Sequence, residues 1–314
     1  MNKKRLIYFK KINLDKSNYQ KLISYFQITS VNDLNQALKI SKNIKNQVQI
    51  IYCDQRYYYS SIFLSKFKYL KVLVSSTTST NFIDKKYCKT KNIKIISLEN
   101  EKKFLTQITP TAEHVFGLIL ILIRNYIDAI KSVNLGKFDR RPFGGYKMLS
   151  RSTLGIIGFG RLGKLIKKIA LGFKMKVITV DKNDKKYFAK KLKNVLQNSD
   201  IVTLNIPERD NSNFFSNKII KNFKNNFYLI NTSRGEVVDE KFIIKLLKKK
   251  VLLGYGTDVL RNEFKKDFDI KKNIIFKNKK RFNIIITPHI GGSTKDAWKL
   301  TENRVIERLI KEIK

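Results

Sequence analysis

The stretch Leu154-Gly155-Ile156-Ile157-Gly158-Phe159-Gly160-Arg161-Leu162-Gly163 constrains the fold more than any other part of the chain. An apolar run ends in the spacing GxGxxG, and a helical pattern then runs to about Gly172. Gly158 permits a tight turn, Gly160 lets the backbone approach a pyrophosphate, and Gly163 lets helix and strand pack closely. The helix N-terminus then presents N–H groups and partial positive charge to phosphates. GxGxxG alone arises often by chance, and a glycine-rich turn is the plain alternative. Here the next apolar strand, Val177-Ile178-Thr179-Val180, ends in Asp181, 23 residues after Gly158. An acid at that place hydrogen-bonds a ribose 2′-hydroxyl and repels a 2′-phosphate, which favours NAD over NADP. Lys182, Lys185 and Lys186 pull weakly the other way.

The rest of the chain repeats strand and helix signals. At ~150 residues per domain, 314 residues suggest two domains. Strands are predicted at Leu6–Phe9, Val48–Cys53, Leu70–Ser75 and Ile93–Leu98, with helices at Tyr19–Phe26, Val31–Ile40 and Ser61–Phe67. Thr109-Pro110-Thr111 opens a long apolar helix running to Ile123, with Thr111 as the expected N-cap. Further strands are predicted at 154–158, 175–180, 200–205, 227–231, 252–257 and 284–287. Helices are predicted at 161–172, 216–223 and 239–249, and a last one from about Lys295 to Ile313. Strand–helix alternation implies parallel sheets covered on both faces, hence an α/β fold of two doubly wound domains.

The balance of 65 basic against 25 acidic residues gives a net charge of +40. The basic residues are spread along the chain, so a lysine-rich composition explains them better than a nucleic-acid surface, and no specific nucleic acid is expected. Such a field draws anionic small molecules. Cys53 and Cys88 stand in no CxxC pattern, so neither a disulfide framework nor a metal site is expected. The N-terminal apolar run stops after four residues at Lys10-Lys11, too short for a secretory signal. The run Val115–Ile123 is shorter than the ~20 residues of a membrane span. A soluble, cytoplasmic protein is expected.

Three polar residues follow predicted strands of the second half. His289 lies in Thr287-Pro288-His289-Ile290-Gly291-Gly292, after Ile284-Ile285-Ile286. Ligands bind at the carboxyl ends of such strands. Arg234, in Asn231-Thr232-Ser233-Arg234-Gly235, follows Phe227–Ile230, and its fork suits a carboxylate. Glu263 follows Gly256–Asn262, and an acid beside a histidine orients the ring and stabilises imidazolium. The other histidine, His114, reads better as a structural residue on its apolar helix.

These residues resemble the D-isomer-specific 2-hydroxyacid dehydrogenases over nearly the whole chain. The likeness runs from Thr77–Asp84 through Thr111-Ala112-Glu113-His114 and the glycine loop to Asn231–Glu240, Gly256–Glu263 and Thr287–Thr294. The resemblance implies an NAD-dependent interconversion of a D-2-hydroxy acid and its 2-oxo acid. It implies a Rossmann NAD-binding domain, 103–290, inserted in a flavodoxin-like substrate domain, 1–102 plus 291–314. His289 is then the general acid or base, Glu263 its partner, and Arg234 the ligand of the substrate carboxylate and carbonyl. Thr78, Gly158, Gly160, Arg161, Leu162, Gly163, Asp181, Ile206, Thr232, Ser233, Asp258, Gly291 and Gly292 line the cofactor. The amides of Ser79 and Thr80 hold the substrate carboxylate. A homodimer is implied, built on the helix from Thr111, and no regulatory extension is expected.

The chain departs from the family pattern in several places that bear on substrate, among them the loop Glu208 to Ser216, which lacks the threonine commonly found there. Thr77-Thr78-Ser79-Thr80 stands where glycine is common, Glu263-Phe264 replaces Glu-Pro, and 265–282 is unusually basic. The identity of the acid stays open. So does the alternative of an NAD-sensing scaffold on the same fold, although intact Arg234, Glu263 and His289 argue for chemistry.

Overall fold

The computed structural model describes residues 3–217, 219, 226–265 and 267–313. In chain order the elements begin β1 (Arg5–Phe9), α1 (Lys16–Tyr25), β2 (Gln27–Val31), α2 (Leu34–Lys39), α3 (Lys42–Lys45) and β3 (Val48–Tyr52). Then come α4 (Ser61–Leu64), β4 (Val72–Val74), α5 (Lys85–Thr90), β5 (Lys94–Ile96), α6 (Pro110–Ile123) and α7 (Tyr126–Asn134). The glycine loop lies between β6 (Thr153–Ile157) and α8 (Arg161–Gly172), followed by β7 (Lys176–Val180), α9 (Phe188–Asn198), β8 (Ile201–Leu204) and β9 (Phe227–Asn231). The last elements are α10 (Glu240–Lys248), β10 (Leu252–Thr257), α11 (Ile274–Asn278), β11 (Ile284–Ile286) and α12 (Lys295–Ile313).

These elements form two compact units, one of Met1–Ile108 with Thr294–Lys314 and one of Thr109–Ser293. The sequence reading puts the joints at 102/103 and 290/291.

The first unit holds a five-stranded parallel sheet of order β2-β1-β3-β4-β5. One layer of core packs Leu6, Tyr8, Ile50, Tyr52 and Val74 with Val305, Ile306 and Leu309 of α12. The opposite layer packs Ile7, Phe9, Ile51 and Leu73 with Tyr59, Phe63 and Phe67. This alternation of inward residues along β1 and β3 is the period-2 geometry of strands buried on both faces. β2 was not foreseen. It is a sheet-edge strand, Gln-Ile-Thr-Ser-Val, and only Val31 is buried, so it carries little apolar signal.

The second unit holds a six-stranded parallel sheet of order β11-β10-β9-β8-β6-β7. The chain leaves β6 for β7 on one side and returns to β8 on the other, which makes the β6/β8 tips the topological switch point. α6 covers one face, burying Ala112, Val115, Phe116, Leu118, Ile119, Leu122 and Ile123 against Leu154, Ile156 and Ile230. The stretch 104–123 is apolar and long enough to cross a membrane by composition alone, but α6 uses its apolar residues as core. The expected N-cap Thr111 is inside α6. The cap is Thr109, because Pro110 takes the first helical turn, where its missing N–H costs nothing. The helix predicted over 216–223 lies largely outside the described residues. α3, α5, α7, α9 and α11 were not predicted.

Candidate functional site

The tips of β6 and β8 form a backbone cradle. Gly158 has φ +93°, and a Cβ there would stand 2.5 Å from the carbonyl oxygen of Asn205 and 2.9 Å from Ile206 Cγ2. A Cβ on Gly163 would stand 2.3 Å from the Gly158 carbonyl oxygen. Only glycine serves at these two places. Gly160 differs: a Cβ there would meet nothing within 4 Å. Its bareness answers to no neighbour among the described residues and leaves room for a ligand above the start of α8. Arg161 and Leu162 are the first helical residues, both partly buried, and Gly160 is an N-cap without a capping side chain.

Asp181, at the tip of β7, bonds back to this loop. Its Oδ2 accepts the Phe159 amide at 2.7 Å and its Oδ1 accepts the Asn183 amide at 3.0 Å. Among the described residues, two buried polar atoms at neighbouring tips have no protein partner, Asn205 Oδ1 after β8 and Thr232 Oγ1 after β9. Orphaned buried polar atoms are costly unless a ligand or water meets them. Together with open Gly160 they fit a bound dinucleotide. Asn205 was missed by the sequence reading, which picked its neighbour Ile206. Its position one residue past a strand of the switch point was the available signal.

Three further tips carry the polar residues. After β9, Asn231 organises the turn: its Oδ1 accepts the Ser233 amide at 3.1 Å and the Ser233 hydroxyl at 2.7 Å, and its Nδ2 donates to the Arg234 carbonyl at 2.9 Å. Arg234 is half-buried and donates to the Ser233 carbonyl at 2.7 Å. Among the described residues it has no carboxylate partner. Gly235 then presses on the loop after β10, since a Cβ there would stand 2.1 Å from the Leu260 carbonyl carbon. The Asn262 amide donates to Glu236 at 2.8 Å and the Arg261 amide to Glu240 at 3.0 Å. The Arg234 turn and the Glu263 loop are thus interlocked.

Glu263 and His289 meet directly, with Oε1 to Nδ1 at 2.6 Å. The Glu263 side chain is 15% exposed and that of His289 37%. His289 has φ +55°, in the left-handed region. Asp258 is buried beside this turn. Its Oδ1 accepts the Thr287 hydroxyl at 2.6 Å and the Ile290 amide at 2.8 Å, and its Oδ2 accepts the Gly291 amide at 2.7 Å. Burial pushes its carboxyl upward, but the bonds from His114, Thr287, Gly291 and Ile290 outweigh that and hold it below its ordinary value. Gly292 lies near the Thr111 hydroxyl. A cavity of about 1140 Å³ opens beside the pair, with Glu263, Phe264, Phe282, Ile286 and His289 in its wall. Phe264, where the family commonly has proline, leans on the imidazole with ring centroids 5.5 Å apart.

Thr78, Ser79 and Thr80 lie on the first unit, in the loop after β4. Thr78 is exposed, the Thr77 hydroxyl donates to the Ser79 carbonyl at 2.7 Å, and the buried Thr80 hydroxyl donates to Glu99 at 2.9 Å.

Comparison with known proteins bears on the whole chain. A model described as "D-isomer specific 2-hydroxyacid dehydrogenase, NAD binding domain" matches residues 116–291. Glycerate dehydrogenase of Methylorubrum extorquens is 31% identical over 246 residues, 76% of this chain and 75% of that protein. Hydroxypyruvate reductase of Thermotoga maritima is 28% identical over 251 residues, 78% of each. Among solved structures, D-lactate dehydrogenase from Aquifex aeolicus complexed with NAD and lactic acid has a TM-score of 0.78 and 25% identity. That match covers 98% of this chain and 95% of that one.

Proposed function

Because the chain belongs to the D-isomer specific 2-hydroxyacid dehydrogenase family, NAD-dependent oxidoreductases acting on small 2-hydroxy and 2-oxo acids, we propose that His289, Glu263 and Arg234 carry that reaction here. The observation that supports it most is the 2.6 Å contact of Glu263 Oε1 with His289 Nδ1. A carboxylate there fixes the proton on Nδ1 and leaves Nε2 to exchange a proton with substrate oxygen.

NADH, when bound, supplies the hydride for carbon 2 of the oxo acid. Gly158, Gly160 and Gly163 with Arg161 and Leu162 hold its phosphates. Asp181 takes the ribose hydroxyls, and Ile206, Thr232, Ser233, Gly291 and Gly292 line the rest. In this reading His289 delivers a proton to the oxygen that becomes the hydroxyl, and Glu263 stabilises the imidazolium before transfer. Arg234 meets the carboxylate and the carbonyl oxygen, where its charge steadies the developing alkoxide. That it has no carboxylate partner among the described residues supports that role. In reverse, His289 is the base. Ser79 and Thr80 are the proposed carboxylate-binding amides of the first unit, which serves as the substrate domain, and Thr78 approaches the cofactor.

A homodimer belongs to the same reading. The helix from Thr111, on which the contact was expected, spends its apolar residues on the core, and the exposed apolar residues lie on the following α7: Ile127, Ile130 and Val133 stand 42%, 57% and 54% exposed at helical spacing, followed by Leu135 and Phe138. Copies of a chain with net charge +40 repel one another, so a self-association face has to be locally neutral. On α7 Asp128 and Lys131 pair at 3.0 Å.

The test is NADH oxidation with glyoxylate, hydroxypyruvate, pyruvate and 3-phosphohydroxypyruvate, followed by absorbance. Turnover of at least one, lost in His289→Ala, is expected. Wild-type protein that binds NADH and turns over none would favour a scaffold.

A further inference from the structure

The left-handed turn at His289, whose amide also reaches the Thr287 carbonyl at 3.0 Å, is held chiefly by one residue, Asp258. The Asp258 carbonyl accepts the His289 amide at 2.9 Å, its Oδ1 accepts the Ile290 amide at 2.8 Å, and its Oδ2 accepts the Gly291 amide at 2.7 Å. Three consecutive N–H groups therefore converge on Asp258. A non-glycine residue at φ +55° persists only where its surroundings over-determine it.

The orientation of that carboxylate is itself set by a second layer. Thr287 donates its one hydroxyl hydrogen to Asp258 Oδ1 at 2.6 Å. His114 Nε2 lies 2.9 Å from the same hydroxyl oxygen. With the hydroxyl hydrogen committed to Asp258, the imidazole nitrogen has to be the donor, so His114 carries its hydrogen on Nε2. Nε2 also stands 3.5 Å from Asp258 Oδ1. Gly291 fits between, since a Cβ there would stand 2.9 Å from Asp258 Oδ2 and 3.6 Å from His114 Cδ2.

We infer that His114, Thr287 and Asp258 form a brace that sets the direction in which His289 presents its imidazole, so that all three are positioning residues. The inference rests on the proposed role of His289. It gives His114 a task, carried from α6 to the tip of β11, and it assigns Asp258 to the turn, with its carboxylate oxygens already taken up by protein donors. A misplacement of about 1 Å in a reacting group costs roughly 100-fold in rate, so a brace of this kind acts on turnover without touching substrate.

Thr287→Val keeps the side-chain shape and removes the hydroxyl that bridges His114 and Asp258. Thr287→Ser restores the hydroxyl. The chain contains only two histidines, so the imidazole NMR spectrum holds two sets of signals, and His114→Gln assigns them. In Thr287→Val the His289 signals are expected to shift or broaden, and kcat for oxo-acid reduction to fall ~10–100-fold, with the KM for NADH little changed. Thr287→Ser is expected to restore both. Unmoved His289 signals in folded Thr287→Val would overturn the brace, as would a serine variant as impaired as the valine one. The imidazole signals are read without substrate. A wild-type protein that turns over no oxo acid therefore counts against the proposed function, and unmoved signals count against the brace.

Discussion

Glu263 holds His289 through one carboxylate oxygen, Oε1 to Nδ1 at 2.6 Å, while its other oxygen accepts the amide of Leu260 at 3.1 Å. The acid is thus fixed to its own loop as well as to the ring. It cannot follow the imidazole if the turn at 289 moves. Positioned proton transfer contributes ~10²–10⁴-fold, and His289→Ala is expected to lose kcat by that factor with NADH affinity preserved in a fluorescence titration. Glu263→Ala is expected to lose less. The double variant should be scarcely worse than His289→Ala, because the two act as a unit. Additive losses would separate them.

Arg234 gives a different signature. A charge-assisted hydrogen bond is worth ~1.5–3 kcal/mol, or roughly 10–150-fold. Arg234→Ala is expected to lower kcat/KM for the oxo acid by at least that range, through both KM and kcat. Arg234→Lys keeps the charge and loses the fork, so it should recover only part of the loss. Steady-state kinetics with unchanged KM values in Arg234→Ala would remove the residue from substrate binding.

The parts of the proposed site that were legible in the sequence are those that sit just past strand tips. Arg234, Glu263 and His289 each follow an apolar run, and β9, β10 and β11 are adjacent in the sheet, so the strand tips collect them. Asn231, Thr287 and His114 were not legible as a group. Their bonds go to nearby backbone and hydroxyl groups or to side chains far off in sequence, as between Thr287 and Asp258 and, across 173 residues, between His114 and Thr287. α7 escaped notice because its apolar residues are exposed, and β2 because an edge strand needs few. The Thr109 cap shows the local limit: Pro110 moves the start of α6 by two residues relative to the residue that looks like a cap.

Two buried carboxylates respond to pH with opposite sign. The Asp258 carboxyl is held below its ordinary value, so the folded protein resists protonating it. The stability it contributes is present above the unfolded value of about 3.9 and is lost as pH falls through the lower folded value. Asp258→Asn should cost about 1–3 kcal/mol at neutral pH, the cost of buried groups left unsatisfied. That deficit should shrink in strong acid. Burial pushes Glu302 up, against bonds from the Asp15 amide and Asn18. Its contribution is full below about 4.3 and is lost as pH rises through the raised folded value. Glu302→Gln keeps an acceptor oxygen and should gain relative to wild type over that rise. Urea unfolding across pH 3–7 reads both. Differences that stay constant with pH would refute the two assignments.

The α7 face makes a prediction about assembly. Ile130 and Val133 are more than half exposed on a helix whose charged pair, Asp128 and Lys131, cancels locally. Burying a Val or Ile side chain contributes ~1.5–3 kcal/mol. Ile130→Asp with Val133→Asp replaces that gain with two buried charges. Sedimentation velocity is expected to show a dimer for the wild type and a monomer for the double variant. A wild-type monomer at micromolar concentration would exclude the homodimer.

The three glycines of the loop should respond to alanine in different ways, since they are bare for different reasons. At Gly158 a Cβ meets backbone, the Asn205 carbonyl, at 2.5 Å, and φ is +93°. Gly158→Ala combines that clash with backbone strain of ~1–3 kcal/mol, so it should lower the melting temperature and weaken NADH binding together. Gly163→Ala meets the Gly158 carbonyl oxygen at 2.3 Å and should behave alike. At Gly160 a Cβ meets nothing within 4 Å. Gly160→Ala should leave the melting temperature of the free protein unchanged and still weaken NADH, because the methyl group stands where the pyrophosphate approaches. Thermal melts with and without NADH separate the cases. A Gly160→Ala protein that gains as much from NADH as the wild type would move the cofactor phosphates away from this loop.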